Sequence, residues 1–357
     1  MQVVNLNPSR LKTGLGGAVI VVLLLAGCTS SSPKGSSSSS STTAANTGAG
    51  SASPSAQALQ SSYIDAINKV RPSVVEITTD TGLGSGVIYD NKGNIVTNDH
   101  VVRGATTFRV TFVDGKQFPA KLVGEFAPDD LAMVNVSGAS NITPANFADS
   151  SKVQVGEIAL AIGNPLGLAS SVTNGIVSFN GRTVSEDRQV TLANTIQTSA
   201  PINPGNSGGA LADLDSNVIG IPTLAATDQQ SGGAAAGIGF AIPSNTVKLI
   251  AGQLASQGKV TNSGRAALNI TATTGFGSSG QPGGVIIVQV QPGGAADKAG
   301  LKPQDVITSI NGQKITSSSA LNDVLAGLKP GDQAKVAVTR ADGSQQTVTV
   351  TLGQLPG

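Results

Sequence analysis

Gly205-Asn206-Ser207-Gly208-Gly209 is a glycine-rich turn around a serine, and where its partners lie along the chain decides the fold. Read as Gly-x-Ser-x-Gly, it could be a nucleophile elbow, a sharp strand-to-helix turn above a parallel sheet. That fold places its histidine after the serine and needs crossover helices between its strands. The chain has one histidine, in Thr97-Asn98-Asp99-His100-Val101-Val102, and it precedes Ser207. The elbow fails on order alone. With an Asp between them, the order His, Asp, Ser suits a site shared by two β-barrels. A serine hydroxyl is a weak nucleophile until a base takes its proton, and imidazole, with an unperturbed pKa near ~6.5, is the usual base at neutral pH. His100 must be that base, because the chain holds no second imidazole.

The imidazole in turn needs a carboxylate on its other nitrogen, to fix its tautomer and stabilise the imidazolium. Asp130, opening the strand Asp130-Leu131-Ala132-Met133, is the candidate, and Asp129 is its nearest rival. Asp99 is poorly placed, since a neighbour along a strand points to the opposite face. The flanking glycines let the backbone N–H groups of Gly205 and Ser207 converge on one spot. There they would stabilise the oxyanion of a tetrahedral intermediate, and one such donor is worth ~3–4 kcal/mol.

The 357-residue length suggests two globular units plus accessory segments. Aromatic residues are 3% of the chain and Trp is absent, so the core is expected to be aliphatic. Net charge is +1 and the Lys and Arg residues form no basic run, which argues against a nucleic-acid partner. The single cysteine, Cys28, excludes an intrachain disulfide. It ends Leu25-Ala26-Gly27-Cys28, after Arg10, Lys12 and an apolar stretch over 14–27. That stretch falls short of the ~20 residues that span a bilayer. It resembles a bacterial lipoprotein signal, with residues 1–27 removed and Cys28 lipidated; an ordinary signal peptide or a short uncleaved anchor is the alternative. Two or more acyl chains would hold the protein stably at a membrane, on the extracytoplasmic face. Residues 28–62 then form a Ser-rich tether too polar to offset its ordering entropy.

From Tyr63 the pattern becomes globular. A short amphipathic helix over 64–70 stops at Pro72. Short β-type runs follow at 74–77, 86–89, 94–96, 108–113, 131–136, 157–162, 175–179, 218–221 and 239–242. Turn signals such as Asn91-Lys92-Gly93, Asp114-Gly115 and Asp215-Ser216-Asn217 separate them, which predicts an all-β barrel or sandwich. Pro243-Ser244 opens a helix through Gln257, with Ser244 as N-cap and Gly258 past its end. A second unit has a strand over 285–290, a helix over 318–328 and two strands joined by Asp342-Gly343, the last one alternating as half-buried strands do.

Taken together, several stretches resemble the HtrA/DegP-type serine proteases. They are Gly82-Leu83-Gly84-Ser85-Gly86-Val87-Ile88, the His100 segment, Asp130-Leu131-Ala132, Ala161-Ile162-Gly163-Asn164-Pro165-Leu166-Gly167, Gln197-Thr198, Ile202-Asn203-Pro204 leading into the Ser207 turn, and Gly237-Ile238-Gly239-Phe240-Ala241-Ile242-Pro243. The resemblance implies a mainly β chain: a trypsin-like protease domain of two six-stranded β-barrels over 63–260, then a PDZ domain over 264–354, built as a β-sandwich or partly open barrel with helices. It favours Asp130 over Asp129, through the match at Asp130-Leu131-Ala132. Two departures stand out: Ser199-Ala200-Pro201 replaces the usual Asp-Ala-Ala, and the segment before Gly82 lacks a long insertion.

Where relatives that cleave after Arg or Lys carry an acid, this chain has Pro201, so a small aliphatic residue before the scissile bond is expected. Pocket walls are expected from Ile221 to Leu224 and from the segment holding Gly239 and Phe240. Pro292-Gly293-Gly294-Ala295-Ala296 and Ala299-Gly300-Leu301 match PDZ domains, which take a C-terminal peptide as an extra strand and hold its carboxylate in a backbone nest. That nest falls at Ala267, Leu268, Asn269 and Ile270; the family usually has an aromatic and a glycine at 267 and 269, though Asn tolerates unusual backbone angles. The resemblance thus implies a membrane-tethered, PDZ-regulated serine endopeptidase, with no metal or cofactor, acting on unfolded or exposed exported proteins and binding C-terminal peptides. Family members often assemble as trimers through the segment that falls near Tyr63. The alternative is a chaperone or peptide-binding scaffold with a latent protease unit.

Overall fold

The computed structural model describes residues 53–140, 142–164, 171–185, 191–203, 205–227, 234–276 and 281–356. The signal stretch, Cys28, most of the expected tether, Pro165-Leu166-Gly167 and Pro204 lie outside them. The first helix, α1 (Pro54–Val70), begins well before the 64–70 expected, inside the stretch read as tether. Ser53 caps it by accepting from the Ala56 N–H at 3.3 Å, and Pro54 at its start loses no helical hydrogen bond.

Six strands then close into a barrel: β1 (Val74–Thr79), β2 (Leu83–Ile88), β3 (Asn94–Thr97), β4 (Phe108–Thr111), β5 (Gln117–Phe126) and β6 (Leu131–Val136), in the order β1-β2-β3-β6-β5-β4. A helical turn, α2 (Asp99–Val102), follows β3. Successive strand residues face opposite ways. Val75, Ile77, Ile95, Ala132 and Val134 therefore fill the barrel, while Val74, Val96, Leu131 and Met133 face out into a second core.

A second set comprises β7 (Ile158–Gly163), β8 (Ser171–Ser185), β9 (Thr191–Thr198), β10 (Ala210–Ala212), β11 (Val218–Thr227) and β12 (Ala234–Pro243). Ala159, Ala161, Val177, Ile196, Leu211 and Ile219 fill its interior. Leu160, Ile162 and Ala210 face the first barrel instead and pack in one core with Val74, Val96 and Met133. Burying each large aliphatic side chain there is worth about 1.5–3 kcal/mol. The helix α3 (Ser244–Gln257) seals this core with Val247, Ile250 and Leu254, and ends on Gly258 in the left-handed region. Its N-cap is Pro243; Ser244, expected to cap it, is the first helical residue and donates to the Ala148 carbonyl at 3.0 Å.

The expected pair of like six-stranded barrels needs correction. The first sheet closes with a single register slip, between β5 and β6 at Leu122 and Gly124. The second pairs around in the order β10-β11-β12-β9-β8-β7, but its ring passes through the three-residue β10, and its register slips between β8 and β9, β10 and β11, and β11 and β12. Residues 182–185 and 191–195 pair with one another past the ring, as an arm rather than a barrel wall. The C-terminal unit has two sheets packed on one core. The larger is an open sheet of β14 (Ile270–Phe276), β15 (Pro282–Val290), β16 (Val306–Ile310), β18 (Gln333–Thr339) and β19 (Gln345–Thr351), with β17 (Gln313–Lys314) on β16. A separate pair joins β13 (Ala266–Ala267) to β20 (Gly353–Gln354). Two helices, α4 (Ala295–Lys298) and α5 (Ser318–Ala326), complete its aliphatic core of Val285, Ile287, Leu301, Ile307, Leu321 and Val336.

Candidate active site

Strands β3 and β6 are neighbours, with Thr97 opposite Ala132. Residues just past β3 and just before β6 are thereby side by side, and this brings His100 to Asp130. Asp130 follows a single 3-10 turn, Ala127–Asp129, and has φ 48° and ψ 44°, a left-handed conformation that Asp tolerates better than most residues. Its N–H donates to the Ala127 carbonyl at 3.0 Å, and its carbonyl accepts from Asn98 Nδ2 at 3.0 Å. The backbone N–H of His100 donates to Asp130 Oδ1 at 3.0 Å. His100 Nδ1 lies 2.8 Å from Asp130 Oδ2 and 3.0 Å from Oδ1. A carboxylate in that place accepts a hydrogen bond from Nδ1–H, which fixes the tautomer and puts the lone pair on Nε2.

The rival acids do other things. Asp129 is turned to Arg265, whose Nη1 donates to its Oδ1 at 2.9 Å and also to the Pro128 carbonyl. Burial pushes the Asp129 carboxyl above the usual range, against the pull of Arg265. Asp99 is not on a strand, as expected, but in α2, where it pairs with Arg103 at 2.6 Å.

Ser207 arrives from the second sheet. Gly205 at φ 110° and Gly208 at φ 80° make the turn, and both angles favour glycine. A Cβ on Gly208 would stand 2.3 Å from the Ser85 carbonyl and one on Gly209 2.3 Å from that of Ile162, so side chains cannot follow this path. The Ser207 hydroxyl donates to the Thr223 carbonyl at 3.3 Å, while Thr223 Oγ1 donates to Asp130 Oδ2 at 2.5 Å. Thr223 thus links serine and acid, a role that nothing in a buried strand threonine announces. At the Ser199 departure, the hydroxyl accepts from the Ile176 N–H at 3.0 Å, so this backbone donor is satisfied without a carboxylate.

Of the expected pocket residues, Pro201 is exposed and Gly239 and Phe240 are buried beside the turn. Ile221 is not available as a wall: it is wholly buried in the core between the two β units. At Leu224 only the backbone is described, paired with Phe240. Ile202 was not foreseen; a Cβ on Gly239 would lie 2.3 Å from its Cγ1, so these two residues are packed face to face.

In the C-terminal unit, Ala267, Leu268, Asn269 and Ile270 line a cavity of about 890 Å³ between the free edge of β14 and α5, with Thr274, Ser318, Leu321 and Leu325. Asn269 has φ 57°; its Oδ1 accepts from the Ala295 N–H at 3.3 Å and its Nδ2 donates to the Gln354 carbonyl at 2.9 Å.

A histidine–carboxylate pair, linked through Thr223 to a glycine-bracketed serine at the seam of two β units, fits the trypsin-like class. Residues 84–221 match the trypsin-like peptidase domain and residues 260–352 the PDZ domain. A probable periplasmic serine protease do/HhoA-like of Haemophilus influenzae is 43% identical over 276 residues, which are 76% of this chain and 58% of that protein. Serine protease PepD of Mycobacterium tuberculosis is 40% identical over 334 residues, 86% of this chain and 70% of that protein. Among solved structures, the HtrA-type protease AlgW with decapeptide superposes with a TM-score of 0.57 at 30% identity, covering 83% of this chain and 99% of that one. The chain belongs to the HtrA-type serine proteases. It spans 58% of the Haemophilus protein's length and 57% of that of periplasmic serine endoprotease DegP of Escherichia coli.

Proposed function

We propose that this protein is a serine endopeptidase in which Ser207 is the nucleophile, His100 the base and Asp130 the acid that orients it. The observation that carries the reading is the 2.8 Å contact of His100 Nδ1 with Asp130, joined through Thr223 to Ser207. For attack, the Ser207 hydroxyl turns from the Thr223 carbonyl toward His100 Nε2; such contacts often tighten only when substrate binds. Ser207 Oγ bonds to the scissile carbonyl carbon as its proton passes to Nε2. The carbonyl oxygen becomes an oxyanion held by the N–H groups of Gly205 and Ser207. Collapse breaks the C–N bond, the proton moves from Nε2 to the leaving amine, and water then repeats the sequence to free the acid.

A small aliphatic side chain before the scissile bond suits a pocket in which Ile202 packs against Gly239. Substrates are misfolded or exposed exported proteins, met on the extracytoplasmic face of a bacterial membrane to which lipidated Cys28 tethers the chain. The 267–270 loop receives C-terminal carboxylates and regulates turnover, and α1, which carries Tyr63, joins three copies. The test is labelling by an active-site-directed peptide phosphonate: the wild-type protein takes up one label at Ser207, and Ser207→Ala takes up none. Labelling that survives Ser207→Ala, or a wild-type protein that never labels while its C-terminal unit binds peptides, overturns the proposal.

A further inference from the structure

Ser85 lies on β2, in the first barrel, and is fully buried. The chemistry above assigns it nothing, yet its polar groups all go to the turn that presents Ser207 or to that turn's neighbours. Its hydroxyl donates to the Gly205 carbonyl at 2.5 Å and accepts from the Asn164 N–H at 2.9 Å. Its own N–H donates to the Ser207 carbonyl at 2.9 Å. Its carbonyl accepts from Thr97 Oγ1 at 2.7 Å, at the end of the strand that leads to His100. One residue therefore holds the carbonyls on both sides of the Asn206–Ser207 peptide, whose N–H is an expected oxyanion donor.

This matters because Gly205 has no side chain to limit its rotation, and at φ 110° its orientation must be fixed from outside. Gly208 adds a third bond, from its N–H to the Pro222 carbonyl at 3.0 Å, but that lies past the serine. Ahead of the serine, the Ser85 hydroxyl is the external bond to the Gly205 carbonyl.

We infer that Ser85 is a positioning residue for the oxyanion site, acting across the seam between the two β units to aim the N–H groups of Gly205 and Ser207. Removing its hydroxyl takes away the bond across the seam to the Gly205 carbonyl, leaving Asn206 tied only to its own segment at Asn203 and Pro201, and the donors converge less well when charge develops. Ground-state binding of substrate does not use them and is unaffected.

The inference rests on the serine-peptidase reading. Its test is steady-state hydrolysis of a fluorogenic peptide by the full chain, together with the affinity of a peptide boronate, which forms a tetrahedral anion on the nucleophile. Ser85→Ala is expected to lower kcat about ten- to hundredfold, short of the ~10²–10³ for losing a donor outright, with KM unchanged. Boronate affinity falls by the same factor, whereas a product peptide binds as before. Should Ser85→Ala not fold, Ser85→Cys carries the same expectation, since a thiol of similar size donates only weakly. A kcat within twofold of wild type, or a loss confined to KM or to the melting temperature, overturns the inference. If wild-type turnover vanishes in Ser207→Ala while the Ser85 variants turn over normally, this inference alone fails. If the wild-type protein shows no turnover, the peptidase reading fails with it.

Discussion

The two β units with their seam and the C-terminal unit solve different problems of placement. At the seam, His100, Asp130, Thr223 and Ser207 come from four distant segments, and bonds between segments hold the Asp130 carboxylate and carbonyl, His100 Nδ1 and the Ser207 hydroxyl. In the C-terminal unit, the 267–270 loop and the edge of β14 are contiguous in sequence, and Asn269 ties the loop down with its own side chain. Bond-making chemistry needs atoms held to fractions of an ångström, whereas strand-like peptide capture needs an open edge and a few aimed N–H groups. Over-determination belongs to the first unit and local sufficiency to the second.

The largest effect is expected within one pair of neighbours. Asp130→Asn should reduce kcat about 10⁴-fold by favouring the wrong imidazole tautomer. Asp129→Asn, which changes the Arg265 contact but not that of His100, should stay within about tenfold. Steady-state kinetics of the two variants side by side decide it; equal losses would erase the distinction between the acids. Next comes Gly208→Ala. Its φ of 80° and the Ser85 carbonyl 2.3 Å from the new Cβ should together cost about 3 kcal/mol of stability, read by urea unfolding, and should suppress turnover.

Asn269→Ala should act locally. Losing two side-chain hydrogen bonds at a left-handed residue costs about 1–3 kcal/mol. C-terminal peptide binding, followed by calorimetry, should weaken while cleavage of a short peptide holds steady. A matching fall in short-peptide cleavage would show that the units are not separable in this way. The smallest effect concerns Asp149, whose carboxyl is held down to about 2 by hydrogen bonds from Asn245 and Ser151. The native state binds this proton less readily than the unfolded chain. Its contribution is therefore complete above the ordinary value of 3.8 and is lost as pH falls toward about 2. Asp149→Asn should flatten that part of the acid-unfolding profile and lower stability slightly at neutral pH, where the carboxylate's contribution is complete.

What was legible in the sequence divides along the same line. The histidine and serine stood out in the sequence because the proposed catalysis needs rare residue types in an order that a single fold class satisfies. Glycines at 205 and 208 were legible because few other residues take their backbone angles. Thr223 and Ser85 were not, since buried strand residues of ordinary type show nothing of the segments they reach across space. Asp99 was set aside for a reason drawn from strand geometry, but a helical turn and Arg103 account for it. Ile221 was read as a pocket wall, yet it faces the core, because one residue of strand register decides which side it shows. In the C-terminal unit the helix over 318–328 was seen nearly in place as α5, while the openness of its sheet depends on pairings between distant strands.

The core shared by the two β units has a practical result. The proposed base and nucleophile stand on opposite banks of one apolar seam, so a slip of the banks under mild warming or a little denaturant should stop the proposed hydrolysis while both sheets remain folded. Turnover then serves as an early gauge of that seam, and a dead enzyme with an intact β spectrum becomes the signature of slippage rather than of melting.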